Sequence, residues 1–263
     1  TPIFTPALDT AVGAERPTVQ LVDVYLNNGE YTFGFENFEK WIEICQRNNI
    51  KYFEMAHLFT QWGAKYCPKI MATVGGEYKK IFGWETDACC DEYVDFLNQF
   101  IKELRDFLSS KNIEDKCVFH ISDEPSAAQL ESYKNAKNAV AEALCGCKII
   151  DALSNYEFYS SGIVDNPVVA TDHIQPFIDN NVDNLWAYYC CGECVKVSNR
   201  FLSMPSARNR IIGFQMFRYD IKGFLHWGYN FWYSQYSVEE INPYYITDGQ
   251  YFVPAGDCYV VYP

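Results

Sequence analysis

Short apolar runs that stop on polar or aromatic residues, separated by stretches of helical periodicity, constrain this chain more than any other feature. Runs ending near Phe4, His57, Ser122, Leu153, Thr171, Tyr189 and Gly228 read as strands. Residues 36–48, 91–110, 126–144, 175–180 and 206–219 read as helices, the second with Tyr93, Phe96, Leu97, Phe100, Leu104, Phe107 and Leu108 on one face. Alternation of this kind calls for a parallel sheet, because each parallel pairing needs a crossover that a helix supplies, and crossovers are right-handed. With one more strand expected upstream of Thr1, the pattern predicts an α/β fold, a TIM-type (β/α)8 barrel forming one domain over 1–263.

In such a barrel the working residues gather at the C-terminal ends of the strands. His57, Asp123, Glu124, Asn155, Asp172, His173, Tyr188, Tyr189 and Trp227 all fall at these ends. Between the runs, residues 18–26 and 31–35 suggest a hairpin about Asn27-Asn28-Gly29, and 1–10 the tail of a strand entering a loop. Residues 60–86 read as a long loop with Trp62, Tyr66, Tyr78, Phe82 and Trp84, either a ligand wall or a satellite cluster packed on the body. From Pro243 onward the composition predicts irregular turns over the barrel mouth.

The stretch Cys117-Val-Phe-His-Ile-Ser-Asp-Glu-Pro125 is the best candidate for chemistry. Neighbouring strand residues point to opposite faces, so Asp123 and Glu124 can serve one site only if the strand breaks there. Pro125 is expected to supply the break while holding Glu124 extended. The plainer reading is that Asp123 caps the following helix and Glu124 is solvated.

Most glycosidases separate their two carboxylates across the scissile bond. Adjacent carboxylates suit hydrolysis assisted by a 2-acetamido group, whose oxygen is the nucleophile. One acid then orients the amide N–H and the other protonates the leaving oxygen. An anionic Asp123 would raise the pKa of Glu124, as that role requires.

A net charge of −13 excludes a nucleic-acid backbone or an anionic membrane surface as partner. Aromatic residues make up 17% of the chain, an excess that fits stacking on a carbohydrate. The 11 cysteines, including Cys190-Cys191-x-x-Cys194 and Cys145-x-Cys147, lack the second well-spaced pair that a zinc site needs. Reduced thiols, no metal and no cofactor are therefore expected, and with them a cytoplasmic location. Among the other candidates, Asp172 could be a conventional nucleophile or could fix a loop. Asn230 could bind a sugar hydroxyl or shape its turn. His57 and His173 lie at the rim, Trp84 faces sugar or loop, and His120 is expected to be a packed, hydrogen-bonded histidine.

Ser122-Asp-Glu-Pro125, Leu185-Trp-Ala-Tyr-Tyr-Cys-Cys191, Asn199-Arg-Phe-Leu202 and Gly223-Phe-Leu-His-Trp-Gly-Tyr-Asn-Phe-Trp232 together resemble the catalytic domain of glycoside hydrolase family 123. That resemblance implies a retaining, acetamido-assisted β-N-acetylgalactosaminidase on a TIM-type barrel, preceded in larger members by a β-sandwich. It implies Asp123 as the acetamido-orienting residue and Glu124 as the general acid/base. Tyr188 or Tyr189 would bond the acetamido oxygen, and Trp227 and Trp232 would form the sugar platform. A conventional two-carboxylate glycosidase using Asp172 and a non-catalytic carbohydrate-binding relative remain the alternatives.

Overall fold

The computed structural model describes residues 19–261, so the strand expected within 1–10 lies outside the described residues. The chain divides into two compact units, which among the described residues comprise 19–151 and 152–261.

The first unit opens with the hairpin of β1 (Asp23–Asn27) and β2 (Glu30–Gly34). Asn28 and Gly29 have φ values of 53° and 86°, the left-handed pair that a two-residue turn between twisted strands requires. Next come α1 (Glu36–Arg47) and β3 (Phe53–Glu54). The stretch 60–86 is not the plain loop expected from its aromatics: it contains β4 (Ile70–Val74) and β5 (Glu77–Phe82), an antiparallel pair. Gly75 and Gly76, at φ 59° and 88°, supply the turn. β4 also pairs in parallel with β1 through Tyr25↔Thr73 and Leu26↔Val74, giving the order β2-β1-β4-β5.

The helix α2 (Asp91–Ser110) is built as its periodicity demands, with Tyr93, Phe96, Leu97, Phe100, Ile101, Leu104 and Leu108 buried along one stripe. It packs on the first hairpin, with Phe96 edge-on to Tyr31 at 5.0 Å and Phe100 edge-on to Phe33 at 5.3 Å. Each large side chain buried in this way contributes roughly 2 kcal/mol of transfer free energy. There follow β6 (Cys117–Phe119), α3 (Leu130–Ala139) and β7 (Lys148–Ile149), and β3-β6-β7 form a parallel sheet. α3 is shorter than the expected 126–144: a 3-10 turn over Ala127–Gln129 leads into it, and the chain leaves the helix at Val140.

Ile150 separates β7 from β8 (Asp151–Leu153). The second unit continues with α4 (Glu157–Ser160), β9 (Pro167–Ala170), α5 (Gln175–Asp179), β10 (Trp186–Tyr188), α6 (Ser206–Arg218) and β11 (Gly223–Leu225). Its sheet runs β11-β10-β9-β8, with β9, β10 and β11 parallel. Residue 223 must be glycine, because a Cβ there would lie 2.2 Å from the Trp186 indole.

α6 departs from expectation: although apolar in composition it buries no residue, and Phe217 is 91% exposed. Its apolar residues are spread around the helix and do not form one stripe. The run expected as a strand ending near Gly228 is regular only to Leu225, and residues 243–261 hold no helix or regular strand. The chain is thus a mixed α/β fold with two parallel sheets. No helix among the described residues is long and apolar enough to cross a membrane.

Candidate active site

In the first unit the backbone carries the β3–β6 pairing well beyond the regular strands. Met55 N–H donates to Val118 O at 2.8 Å, Leu58 to His120 at 3.2 Å, Phe59 to Ile121 at 3.0 Å and Trp62 to Asp123 at 2.9 Å. Ser122 Oγ donates to Thr60 O at 2.8 Å. Residues 117–123 are therefore held along their length, and the chain breaks immediately afterwards. Glu124 has φ 43°, the left-handed region, which corrects the expectation of an extended residue before Pro125. A non-glycine residue there costs on the order of 1–3 kcal/mol, and such strain gathers at functional sites. The departure from extended geometry interrupts the strand's alternation between Asp123 and Glu124.

The turn is closed by the start of the next helix. Ser126 N–H donates to Gln129 Oε1 at 2.8 Å, and Gln129 Nε2 donates to Trp62 O. Trp62, Gly63 and Ala64 all have positive φ, at 58°, 109° and 54°. A Cβ on Gly63 would meet the Gln129 side chain at 2.8 Å, so glycine is required where the two segments touch.

A buried polar cluster shares this strand. His120 is 1% exposed, with Nδ1 3.2 Å from Asp151 Oδ1. Its Nε2 lies 2.8 Å from Glu54 Oε1, close enough for an ion pair although off the line of a straight N–H···O bond. Asp151, fully buried, also accepts the Ile121 N–H at 3.0 and 3.2 Å and the Tyr133 hydroxyl. Burial would lower the His120 pKa, but the hydrogen bonds and charges of Asp151 and Glu54 prevail and raise it to about 9. His57, whose ring centroid is 4.5 Å from that of His120, is driven down to about 4 by burial and by the neighbouring imidazolium.

Asp123 is raised to about 6, chiefly by burial, with the His120 charge opposing and Asp151 and Glu54 adding to the rise. Glu54 is lowered: burial would raise it, but the contact with His120 and the positive charge around it together outweigh that. His57, His120 and Asp151 present ligand atoms within 4.8 Å of one another, a spacing a cation could use. Three donors already occupy the Asp151 oxygens, however, so the group is built around a proton.

In the second unit the aromatic strand ends rest on a polar frame. Tyr188 and Tyr189 are buried, and Tyr189 meets Phe224 edge-on at 4.7 Å. Burial raises the Tyr189 hydroxyl pKa, Arg200 opposing and Asp257 adding. Trp227 is 41% exposed and donates Nε1–H to Asp257 Oδ2 at 3.1 Å. Arg200 Nη2 donates to Asp257 O at 2.8 Å and lies 3.0 Å from His226 Nε2. His226 Nδ1 is 2.7 Å from Gly228 O and Nε2 is 3.2 Å from Asp257 Oδ1, so each ring nitrogen faces an oxygen that can only accept. The indole of Trp227 thereby offers a partly open face with its N–H fixed.

The remaining sequence candidates are placed differently. Asn230 Oδ1 accepts the Val260 N–H at 3.0 Å and the Val261 N–H at 3.3 Å, so its amide oxygen shapes the turn. Trp232 is 37% exposed beside Tyr259. Asp172 is exposed and bonded to its neighbour His173 at 2.6 Å. Trp84 packs 6.0 Å from Tyr66, with its Nε1 buried and without a hydrogen-bond partner among the described residues. No disulfide joins the cysteines.

Sequence reasoning assigned no role to Glu54, Tyr133, Asp151, Arg200, His226 or Asp257. Glu54 and Asp151 had a readable signal, a carboxylate set within an apolar strand run, whereas Asp257 lies in an irregular segment with none.

No curated protein sequence matches the chain. Its fold is similar to a solved structure, that of a family 123 glycoside hydrolase from Clostridium perfringens studied for glycolipid glycan hydrolysis. The TM-score is 0.74 at 16% identity, over 99% of this chain and 45% of that one. The chain thus spans less than half the length of that relative. The family model for the catalytic domain of glycoside hydrolase 123 matches residues 1–263, and the chain belongs to that family of glycoside hydrolases.

Proposed function

We propose that this glycoside hydrolase removes a terminal β-linked N-acetylgalactosamine, or a related 2-acetamido sugar, with retention and with the acetamido group as nucleophile. The reading takes the parallel strands as those of a TIM-type barrel, with Asp123 and Glu124 at a strand end. The observation that carries it is the left-handed Glu124 next to a clamped Asp123, strain placed between two sequence-adjacent acids.

In the first step the acetamido oxygen attacks the anomeric carbon as the glycosidic bond breaks. Glu124 gives its proton to the leaving oxygen, and Asp123 holds the amide N–H so that the charge of the forming oxazolinium ion is balanced. In the second, Glu124, now a carboxylate, takes a proton from water as it adds to the anomeric carbon and reopens the ring. Both displacements occur on opposite faces, so configuration is retained. Tyr188 or Tyr189 bonds the acetamido oxygen. The open face of Trp227, with Trp232, supports the sugar ring.

The test is hydrolysis of an aryl β-N-acetylgalactosaminide beside the matching galactoside. Strict dependence on the N-acetyl group, with inhibition by a thiazoline mimic of the oxazoline, is expected. Equal turnover of both substrates would overturn the reading.

A further inference from the structure

The proposed chemistry leaves the cluster of buried His120, Asp151 and Tyr133 with the partly exposed Glu54 without a role. Resting on the assignment of Asp123 above, we propose that His120, clamped between Glu54 and Asp151, is a positioning residue that keeps Asp123 ionised and fixed for the acetamido group. His120 stands three residues before Asp123 on a segment whose backbone is bonded at His120, Ile121 and Asp123 to residues 58–62. Asp151 grips that segment a second time through the Ile121 N–H while holding the His120 ring through Nδ1. The Tyr133 hydroxyl from α3 fixes the other oxygen of Asp151. Ring orientation, charge and strand end are thus set by one carboxylate.

The charged and titratable groups facing this pair are Glu54 and His57 from residues 53–59 and Asp151 from β8. Of these, His57 is held neutral by burial and by His120, so it supplies no competing charge. The two carboxylates Glu54 and Asp151 would by themselves push Asp123 toward its neutral acid, and the imidazolium between them is what counters that push. A neutral Asp123 could no longer accept the amide N–H in the charged state that an oxazolinium ion needs.

The test measures kcat/KM against pH for the wild type, His120→Gln and Glu54→Gln, with an aryl β-N-acetylgalactosaminide. It is paired with the ring 15N shifts of His120 in the full chain. In His120→Gln the acid limb should move up by about one pH unit or more, with at least about fivefold loss near pH 6 and a far smaller loss near pH 8. The wild-type ring should remain imidazolium to about pH 8, and in Glu54→Gln it should lose its proton about one unit lower or more. A neutral ring near pH 7 in the wild type, or an acid limb unmoved in both variants, overturns the proposal. If His120→Gln does not fold, Glu54→Gln and the ring shifts decide alone. If instead turnover proves independent of the N-acetyl group or of Glu124, the functional reading has failed and the role for Asp123 falls with it, whatever the ring shifts show.

Discussion

The two units put charge to different uses. The first sets an imidazolium against carboxylates and places Asp123 and the strained Glu124 on the same held segment. The second gathers Arg200, His226 and the Trp227 indole around the fully buried Asp257, leaving the indole half open. Buried charges in low dielectric move pKa values and fix protonation states, whereas an aromatic on a hydrogen-bonded frame offers area and orientation. The contrast separates a region suited to proton movement from one suited to holding a ring.

Glu124→Gln tests that separation most severely. Removing a general acid/base should lower kcat by about 10²–10⁴-fold with little change in KM, measured on an aryl glycoside. Wild-type turnover in that variant would end the comparison. The next effect is on stability. His120 binds its proton more tightly folded, at about 9, than at its ordinary 6.5, so its contribution is fully present below about 6.5 and is lost as pH rises through about 9. Chemical denaturation across that window should show a loss on the order of 3 kcal/mol, reduced in Glu54→Gln. Asp123 and His57 titrate below this window, and because the burial-raised thiols of Cys67, Cys117 and Cys258 add a loss at its upper end, the difference between wild type and Glu54→Gln reports the part due to His120.

Trp227→Ala should act on the other side of the divide, raising KM by roughly 5–30-fold, about 1–2 kcal/mol, while kcat changes little. A collapse of kcat with KM intact would show that the second region takes part in the chemistry. Asp172→Asn should have the smallest effect, within about twofold of wild type, because its carboxylate is exposed and spent on His173. A large loss there would revive a direct carboxylate nucleophile.

The two regions also differed in how far they were legible in the sequence. Strand ends and the apolar stripe of α2 were readable because periodicity reports burial directly. The β4–β5 hairpin was missed although Gly75-Gly76 offers a two-residue turn between the runs Ile70–Val74 and Glu77–Phe82, since the aromatics around it suggested a wall. Glu124 was expected to be extended because proline disfavours helical backbone before it. Only the bonds on both sides of the turn force the left-handed form. Asn230 could from the sequence bind a sugar hydroxyl or shape its turn; its Oδ1 accepts from backbone donors thirty or so positions away that no local pattern announces.

The bonds that join Trp62 to Asp123, and Gln129 to both Trp62 and Ser126, make a closed loop with the acid inside it. A backbone shift at Trp62 is therefore passed directly to the turn that carries Glu124. A substitution at Trp62, Gly63 or Gln129 would thus reach the geometry of Glu124 without touching it, so these positions would have to change in step.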